Sequence, residues 1–355
     1  MRAVYYLLGL VPVALALDLL GAPAAAVFAV SAVAVVPAAA LMGEATEQLA
    51  EHSGPGVAGL LNVTFGNAPE LIIALFALSD GLHEVVKASL VGSVVGNALL
   101  VLGASMLAGG WRRRRQHFHV EAARALDAVL LLGTTALLAP SLVRLAEGGS
   151  LPQVGAERAP AGSAAWTATV VVSLALIAVY ARGLRKSLRR QGEAFSGPRP
   201  QQGWSRRRAA TVLAVSAVLV ALASDTLVGS VEHTSEQIGL SQFFIGAIVV
   251  AIVGNAAEHY VAVLAAAKDQ MDLTLSIAVG SAAQVGLLLA PLVALASTVI
   301  GPERMPLVFN GYELAALLCG GWLASAVTFD GVSTRMRGIA LLAVYLGLAV
   351  VFLLA

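Results

Sequence analysis

An all-α polytopic membrane protein of about eleven transmembrane helices is what this sequence predicts, on three observations. Of its 355 residues, 58% are hydrophobic and only 12% charged, about half the charged share of a soluble domain. Apolar segments of about 20 residues recur from end to end, each long enough to cross a hydrocarbon core of about 30 Å. Turn-prone breaks separate most of them, and no ten-residue alternation suggests barrel strands. A soluble chain would need an implausibly large core to hide so many apolar runs.

The first span, about 4–20, follows Arg2 and ends at Gly21-Ala22-Pro23-Ala24. By hydropathy alone it is either a cleaved signal peptide or a retained first helix. The next spans are about 22–42, 56–79 and 84–109, set apart by Ser53-Gly54-Pro55-Gly56 and Ser79-Asp80-Gly81. Spans at about 124–145 and 164–183 complete the first half. The second half reads 207–229, 241–267, 273–300, 311–329 and 337–355, with Gly301-Pro302 breaking the chain after 300. With the N-terminus inside, all of the 22 Lys and Arg residues except Lys87, Arg144, Arg158 and Arg304 fall on the inner side, as the positive-inside rule requires. One missed or extra helix would scramble that asymmetry.

The segment 184–206 is the longest polar stretch and is basic. It reads as a cytoplasmic linker obeying the same rule; a patch for anionic lipid is the sharper alternative. Nucleic-acid binding is not supported, since Arg112 to Arg115 have the same plain explanation. The single cysteine, Cys319, excludes an intrachain disulfide, and no CxxC or C2H2 spacing offers a zinc site. No HExxH, GxSxG or paired catalytic Asp motif is present, so the chain does not read as an enzyme.

Two near-copies of one polar motif interrupt the apolar runs: Gly66-Asn67-Ala68-Pro69-Glu70 and Gly254-Asn255-Ala256-Ala257-Glu258. An ionisable group at the centre of a membrane helix costs roughly 2.5–3.5 kcal/mol or more, and a chain that carries this cost twice at equivalent points is using both carboxylates. The copies lie 188 residues apart, and the same offset pairs Glu44 with Glu232, Thr46 with Thr234, Gly92 with Gly280 and Ser93 with Ser281. Residues 1–21 then form an extra N-terminal helix, 22–183 a first five-helix repeat and 207–355 a second. An odd number of spans per repeat inverts the second copy, a plan that places a site at the membrane midplane.

Asn67 and Glu70 share one helix face, as do Asn255 and Glu258, and Thr64 extends the first face by three residues. Two carboxylates and two amide carbonyls are the oxygen donors that Ca²⁺ prefers, and Gly66 and Pro69 loosen the helix so that backbone carbonyls can join them. A polar stripe on the next helix of each half, Ser93 and Asn97 in one and Ser281 and Gln284 in the other, reads as a cation and proton pathway. Ser89 and Ser276 read as helix-packing residues, and His259 stays outside the ligand set. Glu44, Glu47 and Glu51 inside, and Asp225, Glu232 and Glu236 outside, are mostly loop charges. Glu44, Asp225 and Glu232 are the vestibule candidates, Asp225 lying deepest. Protons and metal compete for the same glutamate oxygens, which couples their movement.

Gly66-Asn67-Ala68-Pro69-Glu70-Leu71-Ile72 and Gly254-Asn255-Ala256-Ala257-Glu258-His259 resemble the two signature repeats of the cation/proton exchangers, the CAX family of the calcium/cation antiporter superfamily. Gly92-Ser93-Val94-Val95-Gly96-Asn97 and Gly280-Ser281-Ala282-Ala283-Gln284 are similar to the helices that follow them. The resemblance implies one extra, retained helix followed by two inverted five-helix repeats. It implies Ca²⁺ efflux driven by inward proton flow, with Glu70 and Glu258 as central ligands. Ca²⁺ and H⁺ are then transported ions rather than bound cofactors, and the setting is the lipid bilayer of a prokaryotic cell membrane with the N-terminus cytoplasmic. Sodium-coupled relatives carry further acids, and the helix of Ser281 and Gln284 has none at mid-span, which favours the proton. A sodium-coupled or broad divalent exchanger is the alternative, and a passive cation channel a more distant one. Two departures limit the resemblance: the linker is basic where many members are acidic, and no long N-terminal autoinhibitory extension is expected.

Overall fold

The computed structural model describes residues 6–53, 55–111, 113–155, 162–194 and 203–355. Arg2, Gly54, Arg112, Arg158 and the 195–202 part of the expected linker lie outside the described residues. Among the described residues the fold is helical apart from two short strands, β1 (Gln116–His117) and β2 (Val332–Ser333), paired antiparallel with Gln116 opposite Ser333.

Eight helices among the described residues are long and apolar enough to cross a bilayer. In chain order the helices are α1 (Leu10–Leu19), α2 (Ala24–Glu51), α3 (Pro55–Gly66), α4 (Ala68–Ser79), α5 (His83–Gly109) and α6 (Val120–Ala146). They continue as α7 (Ser163–Ala194), α8 (Arg206–Gly229), α9 (Val231–Ile238), α10 (Gln242–Ala267), α11 (Met271–Ala296), α12 (Gly311–Thr328) and α13 (Arg335–Leu354). Helix α2 runs past the expected end at 42, so Glu44, Glu47 and Glu51 sit on its last turns rather than in a loop. Helix α7 likewise carries the first part of the linker.

The chain divides into two compact units that draw on both sequence halves. The first comprises Met1–Ala77, Ala178–Gly239 and Val253–Ala257. Its axis is the pairing of α2 with α8. At one end the Trp204 N–H donates to the Gln48 side-chain carbonyl at 2.7 Å; at the other the Ala25 N–H donates to Gln237 at 3.1 Å. The two helices are therefore antiparallel. Ala38, Met42, Ala45, Leu213 and Val220 fill the space between them, joined by Ala68, and the small residues let the backbones close up.

The expected span 56–79 is broken at Asn67 into α3 and α4. Pro69 falls in the first turn of α4, where its missing N–H forfeits no helical bond. The matching position in α10 is Ala257, and α10 runs unbroken through Gly254–Glu258. One proline thus separates two nearly identical motifs.

The second unit comprises Leu78–Ile177, Leu240–Ile252 and Glu258–Ala355. Helix α5 lies against a π-helical stretch of α10, Ile245–Val250. A Cβ on Gly92 would stand 2.0 Å from the Ala247 carbonyl oxygen, and one on Gly246 2.8 Å from that of Val85. Only glycine at both positions permits this backbone contact. Helix α6 packs on α11 and α12, and α13 on α5. Two further π-helical stretches, Gly96–Val101 in α5 and Val285–Leu289 in α11, end at equivalent positions at the 188-residue offset and start one residue apart. The last part of the segment between α11 and α12, residues 305–310, is non-helical and largely buried. Its polar groups are met by side chains, as buried backbone requires: Leu307 N–H by Thr169 (3.1 Å), Phe309 N–H by Ser141 (2.9 Å) and the Val308 carbonyl by Lys87 Nζ (2.6 Å). Lys87, which the sequence puts near the outer end of the span 84–109, is 4% exposed and held inside.

Candidate functional site

In the first unit the polar motif is built at the break between α3 and α4. Asn67 occupies the break, and its carbonyl accepts the Leu71 N–H at 3.1 Å. Glu70 lies in the first turn of α4. Both are buried, at 3% and 9% exposed. The Asn255 amide nitrogen donates a short hydrogen bond to Glu70 Oε1. Gly254 makes this approach possible: a Cβ there would lie 3.1 Å from Glu70 Cγ. Residues 185 and 184 apart in sequence thus meet at one glutamate. Asn255 was expected to offer its carbonyl oxygen; here its N–H is what addresses the glutamate.

The helix break also ends the face on which Thr64 was expected to continue the Asn67–Glu70 pair. Thr64 is exposed, because three-residue spacing aligns side chains only along an uninterrupted helix.

In the second unit Ser281 of α11 donates to Glu258 Oε2 at 2.6 Å. Ser281 is 7% exposed and Glu258 half-buried. Ser93 and Asn97 of α5 are buried, Asn97 at the start of the π-helical stretch. Gln284 is half-buried and immediately precedes the equivalent stretch of α11. Widened turns of this kind recur at functional sites, where they re-aim side chains and leave carbonyls open. Ser89 donates to its own helix at Val86 (2.9 Å). His259 has a buried Nε2 with no protein hydrogen-bond partner.

The vestibule candidates sit at opposite ends of the antiparallel α2–α8 pair. Glu44 is half-buried near the end marked by Gln48; Asp225 and Glu232 are exposed toward the end marked by Gln237. One acid escaped the sequence: Asp127 of α6, 6% exposed and hydrogen-bonded to Thr328. The cost that singles out Glu70 applies to it as well, but three residues from the expected span edge it reads as an interfacial charge.

The donors at both motifs are oxygen-bearing carboxylates, amides and a hydroxyl, with backbone carbonyls at the break. Such a set suits a hard cation and the proton rather than zinc or copper.

Comparison with known proteins adds four findings. The family model described as sodium/calcium exchanger protein matches twice, at residues 23–184 and 208–354. The chain is 39% identical over 351 residues to the Ca²⁺/H⁺ antiporter of Synechocystis sp., covering 96% of this chain and 94% of that protein. It is 38% identical over 352 residues to the Ca²⁺/H⁺ antiporter ChaA of Bacillus subtilis, covering 97% and 96%. Among solved structures, that of the selenium-substituted Ca²⁺/H⁺ antiporter protein YfkE superposes with a TM-score of 0.84 at 36% identity, over 100% of both chains.

Proposed function

The chain belongs to the sodium/calcium exchanger protein family, and from that premise we infer that it is a secondary antiporter exchanging Ca²⁺ for H⁺ by alternating access, with Glu70 and Glu258 carrying the ions. The observation that carries the exchange is similarity along nearly the full length to two Ca²⁺/H⁺ antiporters. It is a transporter of a multi-pass membrane family and not an enzyme.

The geometry supports the roles of the two glutamates. Each is supplied with a hydrogen-bond donor from a second helix, Asn255 for Glu70 and Ser281 for Glu258, so an ionised carboxylate is prepared for a cation. At Asn67 the carbonyl end of α3 adds the negative pole of a helix and carbonyls that have no partner within it. A proton on either glutamate removes the charge that attracts Ca²⁺, and Ca²⁺ on the carboxylate excludes the proton. Exposure of this competition to one side of the membrane at a time converts a proton gradient into Ca²⁺ efflux.

Eleven spans, organised as one extra helix and two inverted five-helix repeats, fit the same picture. The family model matches once on each side of the linker. Helices α2 and α8, related by the 188-residue offset, pack antiparallel, which is what an inverted copy produces. The distribution of basic residues supports a cytoplasmic N-terminus. Ser93, Asn97 and Gln284 form the pathway, with Asn67 and Asn255 beside the glutamates, and other divalent cations of similar size compete for the same oxygens.

The test is Ca²⁺ uptake into everted vesicles energised by a pH gradient. Wild type accumulates Ca²⁺, while Glu70→Gln and Glu258→Gln fold normally and do not. Uptake at the wild-type rate by either variant removes the glutamate assignment. Flux driven by a sodium gradient alone would move the protein to the sodium-coupled class, and flux that cannot be driven uphill would make it a channel.

A further inference from the structure

Asp127 lies seven residues into α6, about 10 Å along the helix from its start, and is 6% exposed. Its Oδ2 is 2.7 Å from the Thr328 hydroxyl at the end of α12. That hydroxyl is also 2.8 Å from the Ala324 carbonyl and, more distantly, 3.3 Å from that of Ser325, both on its own helix. Thr328 has one proton, and its two shorter contacts are to oxygens that can only accept if Asp127 is ionised. One of the two contacts is then an oxygen facing an oxygen with no hydrogen between them. If Asp127 carries a proton, both contacts are satisfied: the carboxyl donates to Thr328, and Thr328 donates to Ala324. Asp127 Oδ1 is buried and has no protein hydrogen-bond partner. A neutral carbonyl oxygen tolerates that position far better than one sharing a full negative charge.

The charged and titratable groups on the surrounding elements do not change this balance. On α6 itself Glu121 and Arg124 are exposed. On α11 Asp272 is paired with His119 at 2.9 Å. On α12 Tyr312 and Glu313 lie at the opposite end, Glu313 engaged in a capping box with Asn310, and Cys319 lies more than two turns from Thr328. The ion pairs among the described residues join Arg113 to Asp269, His119 to Asp272 and Arg337 to Asp330; none reaches Asp127.

We propose that Asp127 is a proton-binding site distinct from the two glutamate motifs, and that its bound proton latches α6 to the end of α12. The proton is a fixed part of the fold and not a transported one, so the inference stands whether or not the glutamates carry Ca²⁺.

The experiment is infrared difference spectroscopy of the full chain in lipid at neutral pH, wild type against Asp127→Asn. The expected result is loss of one protonated-carboxyl carbonyl band with no loss of carboxylate bands. The amide of the variant can donate to Thr328 as the carboxyl does, so thermal stability and Ca²⁺/H⁺ exchange stay at wild-type levels, whereas Asp127→Leu melts lower. Loss of a carboxylate band with the protonated-carboxyl region unchanged would overturn the proposal. Should Asp127→Asn fail to fold, Thr328→Val decides: removal of the acceptor moves the carboxyl band to higher frequency, and an unmoved band overturns the latch.

Discussion

Replacing Gly92 with alanine tests the contact that seats α5 against α10. The new Cβ would stand 2.0 Å from the Ala247 carbonyl oxygen, 2.7 Å from its carbon and 2.9 Å from its Cα. All three atoms are backbone, so no side chain can rotate away, and the helices must part by about 1 Å to reach a tolerable 3.0 Å. Overpacking of this kind costs about 1–3 kcal/mol and occasionally more, and a backbone-to-backbone clash belongs at the upper end. For a chain of this size each kcal/mol lowers the melting temperature by roughly 2 °C, so Gly92→Ala should melt roughly 4–6 °C below wild type. Gly96, one turn along the same helix, has no such neighbour within 4 Å. Gly96→Ala should melt at or above the wild-type temperature, because alanine is a better helix residue by up to about 1 kcal/mol. The assay is thermal unfolding of the purified protein in one detergent. Equal melting of the two variants, or wild-type melting of Gly92→Ala, would refute the close-contact argument.

Three further outcomes follow from the same geometry. Ser281→Ala removes the hydroxyl that donates to Glu258; a hydrogen bond to a charged group is worth about 1.5–3 kcal/mol. Apparent Ca²⁺ affinity in reconstituted transport should fall roughly ten- to a hundredfold, and an unchanged affinity would show that Ser281 is idle. Lys87→Met strands the Val308 carbonyl in the interior and should cost about 1–3 kcal/mol, visible as a lower melting temperature; unaltered melting would contradict a structural role. The turn between α12 and α13 should loosen in acid. Hydrogen bonds from Arg337 hold the Asp330 carboxyl down to about 2, below its ordinary 3.8. A depressed acid stabilises the fold above its ordinary value, and that contribution is lost as pH falls from about 4 through about 2. Hydrogen-exchange protection of residues 330–337 should decline over that window in wild type but not in Asp330→Asn, and a flat wild-type profile would exclude the linkage.

The two carboxylates illustrate how one sequence pattern yields two local structures. At the first motif Pro69 ends the preceding helical bonding and α3 stops at Gly66; at the second, Ala257 lets α10 continue. Irregularity near the second motif is displaced about two turns toward the N-terminus of α10, into the π-helical stretch packed on α5. One motif thus sits at a helix break, the other in continuous helix about two turns beyond a widened stretch.

Sequence alone determined the membrane class, the approximate positions of the long helices but not their ends, and the identity of the two costly glutamates. It could do so because each of these depends on local chemistry: apolar length against bilayer thickness, and the price of an ionisable group in hydrocarbon. The 188-residue offset was equally legible, being a property of the order of residues. What only the tertiary structure decided is which side chains meet. That Asn255 serves Glu70, that Ser281 serves Glu258 and that Thr328 closes on Asp127 depend on helix crossings set by small residues such as Gly254. The exposure of Thr64 and the burial of Lys87 have the same origin. A helical periodicity assigns a residue to a face, but only packing determines whether that face meets lipid, water or a carboxylate.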